Sequence, residues 1–244
     1  MKRSPCSSAW PPTWSHPLIG QSVSNFLDVL RDMLLDQFTP ELWQDASFVE
    51  LLLNRIHPFL AAASGGFLHC LTTKNLTCET FQIILRVFVQ QFHYMEEPSR
   101  RMVLESFILP YLNSNSSGHA CALNGSYYWL QNNFGPFSVL VELEDLFELN
   151  MAFDPLEVLD LLSPMQMAEL MVLPLPHAQG KDEVISRVLD HLLESPVERN
   201  LQEVLGLTII LATQDEAPCE FYQAIIPRLS ESVTSVPGVL EPII

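Results

Sequence analysis

The chain has 244 residues, enough for one large domain or two small ones, and 48% of them are hydrophobic, so folding buries much of its surface. The formal net charge is −17; without clustered Lys and Arg there is nothing to hold a phosphate backbone, which excludes nucleic-acid binding. The longest strongly apolar stretch, near Leu205 to Ala212, falls well short of the roughly 18 residues that cross a bilayer as a helix, so no transmembrane segment is read.

Residues 1–18 are rich in Pro, Ser and Trp and read as an irregular arm. Its two basic residues are not followed by the apolar run of a signal peptide, and the C-terminal VPGVLEPII carries neither a hydrophobic tail nor a lipid-anchor signal. An extracellular form is therefore expected to be longer than this chain.

Helical periodicity follows the arm. Phe26, Leu27, Leu30, Met33 and Leu34 make one apolar stripe. A second, Phe48, Leu52, Ile56, Phe59 and Leu60, follows a start at Thr39-Pro40. Phe81, Ile84, Phe88 and Phe92 make a third, with Thr77 as its N-cap. Helix starts in the second half share one grammar: Asp154-Pro-Leu-Glu157, Ser163-Pro-Met-Gln166 and Ser195-Pro-Val-Glu198. Each pairs a capping side chain with Pro at the first helical position and an acid or amide two residues later, the pattern of a capping box. No run of alternating strands interrupts them, so the fold class is all-α.

LTTKNLTCETFQIIL (Leu71 to Leu85) resembles LATQDEAPCEFYQAII (Leu211 to Ile226). A repeated helical unit predicts an α-solenoid, a superhelix of short helices in armadillo or HEAT style, each unit covering its neighbour's apolar face. The expected organisation is the arm at 1–18, a helical-repeat domain over 19–175, and a continuation of the repeats over 176–244 that is cut short.

The acidity is uneven. From Met102 to Gly180 there is no Lys or Arg, while nine acids fall inside the span. Glu142, Glu144, Asp145 and Glu148 alternate with Leu143, Leu146, Phe147 and Leu149, as on the outer face of a short helix. A solvated face is the plain reading; an acidic docking face for a basic partner is the sharper one. No EF-hand spacing supports calcium.

There are five cysteines. Cys6 lies in the arm. Cys70, Cys78, Cys121 and Cys219 are the disulfide candidates, with Cys121 expected to bond Cys78 or Cys70 and Cys219 to pair outside the chain or stay a thiol. Sequons stand at Asn75, Asn115 and Asn124; the last two flank Cys121 in a polar loop and the first precedes a predicted helix, all exposed settings for glycans. No CxxC or paired His/Cys spacing suggests zinc, no cofactor motif is present, and no P-loop, GxSxG or HExxH appears. The histidines His57, His69, His93, His119, His177 and His191 are scattered. The expectation is a non-enzymatic protein. Tyr127, Tyr128, Trp129 and Phe134 form an aromatic cluster for a core or an interface.

Three stretches, FLHCLTTKNLTCETFQIIL, SYYWLQNNFGPFSVLVELEDLFELN and FDPLEVLDLLSPMQMAELMV, resemble the mesothelin, stereocilin and otoancorin family over roughly 68–172. The resemblance rests on the Cys-bearing helix start, the Trp-Leu-x-x-Asn-Phe-Gly-x-Phe-Ser turn and the Leu-Asp-Leu-Leu-Ser-Pro junction. It implies an N-glycosylated, cell-surface or extracellular superhelix in cell–cell or cell–matrix adhesion, whose partner is a surface protein or a matrix component. It carries over no catalytic residues. The family's signal peptide and anchor are not matched here. That leaves an alternative from another class, a cytoplasmic helical-repeat scaffold with free thiols and silent sequons.

Overall fold

The structure, a computed structural model, describes residues 17–33, 35–114, 121, 125–174, 180–194, 198–214 and 217–235. Cys6, Asn115, Asn124, His119, His177 and the Ser195 cap lie outside them. The described residues contain helices and turns and no strand. They fall into two compact units, Met1–Pro110 and Tyr111–Ile244.

In the first unit α1 (Pro17–Met33) is followed by α2 (Pro40–Gln44), α3 (Ala46–Ile56), α4 (Gly65–Thr72), α5 (Cys78–Gln91) and α6 (Glu97–Val103). The predicted single helix from Thr39 is two. Thr39 makes no side-chain cap, whereas Asp45 accepts from the Ser47 and Phe48 amides and restarts the chain as α3. This restart turns the predicted stripe: Val49, Leu53, Ile56 and Leu60 are buried, while Phe48, Leu52 and Phe59 are half-buried. The third stripe is as predicted, with Phe81, Ile84, Phe88 and Phe92 all buried. Phe107 joins it, its ring centroid 5.3 Å from Phe81 and 5.8 Å from Phe88. At Ser64 one hydroxyl serves two helices: it accepts from the Phe67 amide to cap α4 and donates to Asp28 of α1 at 2.5 Å.

Between α6 and α7 (Leu109–Asn113) the chain winds as a π-helix over Leu104–Ile108. Pro110 explains it. Its ring excludes the carbonyl four residues back and it has no N–H to give, so the ladder widens and the Leu109 amide reaches Leu104.

The second unit holds α8 (Gly125–Asn133), α9 (Leu143–Leu149), α10 (Pro164–Val172), α11 (Lys181–Glu194), α12 (Glu198–Gln214) and α13 (Cys219–Ser235). α10 packs against α12, and α11 against both α12 and α13. Of the predicted starts, Ser163 makes the full capping box with Gln166. The Asp154 start yields one 3-10 turn, Pro155–Glu157, because Asp154 caps the Leu156 amide and Glu157 turns elsewhere instead of closing a box.

Candidate functional site

In the family-like turn that links α8 to α9, Trp129, Leu130, Asn133, Phe134, Gly135, Phe137 and Ser138 are all buried. Trp129 packs on Phe134 and Phe153 with centroids 5.5 and 5.4 Å apart. Gly135 takes φ +53°, a left-handed backbone that favours glycine. Asn133 Nδ2 donates to the carbonyls of Cys121 and Trp129 at 3.1 and 2.9 Å. The motif is therefore packing and backbone satisfaction, with no reactive group turned outward. The aromatic cluster divides: Trp129 and Phe134 are core, while Tyr127 and Tyr128 are exposed and stacked edge-on at 5.5 Å.

Gln166 is a buried clamp. Its Oε1 accepts from the Ser163 amide at 2.8 Å, and its Nε2 donates to the carbonyls of Ser138 and Val141, each at 2.8 Å. One side chain thus closes the α10 cap and holds the turn that leads into α9.

α9 then presents the predicted acidic face. Leu143, Leu146 and Leu149 are buried; Glu142, Glu144 and Glu148 are exposed and Asp145 half-buried. Glu142 occupies the N-cap but makes no side-chain cap. Glu169 of α10 takes that role, its Oε2 accepting from the Leu143 amide at 3.1 Å. Burial pushes the Glu169 carboxyl up, the Leu143 amide draws it back down, and Glu142 nearby raises it again. Glu157 reaches the start of α8 in the same way, its Oε2 facing the Ser126 amide at 3.4 Å. With Asp154 on the Leu156 amide, a stretch without cations thus spends three of its carboxylates on helix N-termini, where each contributes about 0.3–1 kcal/mol. Glu142, Glu144 and Glu148 are exposed. Sequence reasoning left Glu169 among the undifferentiated acids and placed Glu157 in a local capping box, because capping from another element has no local spacing to read.

Cys78 and Cys121 are the disulfide-bonded cysteines among the described residues. Of the two expected partners for Cys121, it is Cys78 that is oxidised, and Cys70 is a buried thiol. Cys219, the first residue of α13, is an exposed thiol. Asn75 is exposed in the turn between α4 and α5.

Lys181, at the start of α11, closes the other end of α10 by donating to the carbonyls of Leu170 and Leu173. Burial pulls its ammonium down to about 8. Between that value and the usual Lys range the unfolded chain binds more protons than the folded one, so this group adds stability as pH rises through the window. We expect the denaturation midpoint of the wild type, relative to Lys181→Met, to shift in the wild type's favour between pH 7 and pH 10. A difference independent of pH would place the ammonium in water.

An open cleft of about 420 Å³ lies between α11 and α13, lined by Asp182, Glu183, Ser186, Arg187, Gln223 and Arg228 among others. Its charged side chains are exposed, so it provides no desolvated acid or base. Among the described residues no group of three or more His, Cys, Asp or Glu gathers as metal ligands, and no helix is long and apolar enough to cross a membrane. Comparison with protein-family models, with curated proteins and with solved structures gave no match.

Proposed function

We propose that the chain is a non-enzymatic extracellular or cell-surface helical-repeat protein that mediates cell–cell or cell–matrix adhesion by binding another protein. The observation that carries the reading is that Cys78 and Cys121 are both oxidised, in the stretch that resembles the adhesion family and holds all the sequons. Disulfides persist in oxidising compartments and are rare in the cytosol. The stacked-repeat organisation is supported by the paired motifs: in both, one helix precedes a second that begins at a cysteine, Cys78 of α5 and Cys219 of α13.

The docking surface in this reading is the exposed acidic edge of α9, which attracts a basic partner and speeds encounter. We expect cells to adhere to a surface coated with the purified chain, and adhesion at early times to fall several-fold for Glu142→Lys/Glu144→Lys/Glu148→Lys. Since all three side chains are exposed, circular dichroism should be unchanged. Adhesion unaffected by the triple reversal moves docking off α9. No adhesion by a glycosylated, oxidised chain removes the proposed function itself.

A further inference from the structure

The turn that holds the Asn75-Leu76-Thr77 sequon uses, once folded, the same groups that glycan transfer requires. Recognition of the motif depends on a hydroxyl two residues after the asparagine. Here that hydroxyl is the N-cap of α5. Thr77 Oγ1 accepts from the Thr80 amide at 3.2 Å, and the Thr77 amide donates to Thr80 Oγ1 at 2.9 Å. On the other side the Leu76 amide donates to the Lys74 carbonyl at 2.9 Å, folding the backbone tightly around Asn75. The residue after the sequon, Cys78, is disulfide-bonded. Asn75 itself stays exposed, so its side chain is reachable while its recognition element is engaged.

Resting on the secretory reading of the proposed function, we propose that Asn75 is an N-glycosylation site open only until Cys78 is oxidised, so that disulfide formation and glycan transfer compete for one segment. In the transfer, Asn75 Nδ2 attacks the anomeric carbon of a lipid-pyrophosphate-linked oligosaccharide. A C–N bond forms, the C–O bond to pyrophosphate breaks with its electron pair leaving on the phosphate, and one amide proton passes to an enzyme base. In the competing step the Cys78 thiol and the thiol that it bonds lose two protons, and two electrons pass to the disulfide of an oxidoreductase, which is reduced to a dithiol. Cys121, the other disulfide-bonded cysteine, is synthesised about 45 residues after the sequon, roughly 2–9 s later at ordinary elongation rates. That interval is when the acceptor is unfolded and its hydroxyl unengaged. Chains oxidised first keep a bare Asn75, and the protein leaves the compartment as two forms.

The test measures Asn75 occupancy by peptide mass spectrometry after glycosidase treatment, in the full chain expressed in animal cells behind a cleavable secretory leader. Cys78→Ser removes the bond at Cys78, Cys121→Ser removes the other disulfide-bonded cysteine, and both leave Asn-Leu-Thr intact. A third arm exposes the unaltered chain to dithiothreitol during synthesis, so the result does not depend on either variant folding. Partial occupancy in the wild type, rising about two-fold or more in all three arms, is the expected result. Equal occupancy in every arm, whether complete or absent, overturns the proposal. The natural transcript product, run with its own N-terminus, reports separately on compartment: no glycan there counts against the extracellular reading, while the leader-bearing arms still decide the competition.

Discussion

Gln166→Leu is expected to destabilise the second unit by about 3–5 kcal/mol. The substitution keeps roughly the same volume and improves hydropathy, so a view based on apolar burial alone predicts little change. The hydrogen bonds decide otherwise. Gln166 is 1% exposed, and its amide serves the Ser163 amide and the carbonyls of Ser138 and Val141. Leucine leaves the Ser163 amide and the Val141 carbonyl without that partner, while the Ser138 carbonyl keeps the Val141 amide; each buried orphan costs about 1–3 kcal/mol. Urea titration monitored by Trp129 fluorescence measures the loss, and hydrogen exchange over Ser163 to Val172 localises it. A loss below about 1 kcal/mol would mean that water enters and replaces the amide.

Asn133→Asp is expected to cost about as much at neutral pH and to recover in acid. The side chain is fully buried and its Nδ2 donates to two carbonyls. A carboxylate there turns two attractions into repulsions and buries a charge, worth about 3–5 kcal/mol. Burial raises the folded-state pKa of the new Asp above its unfolded value of about 3.9. The unfolded chain then gives up its proton first as pH rises, and stability is lost through that window. The gap between wild type and variant should be wide at pH 7 and shrink towards pH 4. A gap that is the same at both pH values would show that the carboxylate reaches solvent.

These two residues also mark the boundary of what is legible in the sequence. The all-α class, the Thr77 cap, the Ser163–Gln166 box and the exposed outer face of α9 can be read from it directly. Each depends on neighbours within one helical turn, where residue type and spacing determine which groups meet. The same locality explains why the third apolar stripe is buried as predicted. The second stripe turned because Asp45, a cap strong enough to break the helix, lies just before it.

Tertiary structure decided the rest. Gln166 also spans to Ser138 and Val141, Glu169 caps α9 in place of Glu142, Lys181 closes α10, and Cys78 rather than Cys70 is oxidised; each outcome depends on residues far apart in the chain. No period or spacing encodes such contacts. They exist because packing brings buried donors and acceptors together, and a buried polar group must then find whichever partner lies within reach. The sequence by itself therefore determined the all-α class, the local caps at Thr77 and Ser163 and the buried face of the third stripe. Only the folded chain decided which carboxylates are consumed by helix ends and which remain on α9, because that division depends on the distance between elements, not on their composition.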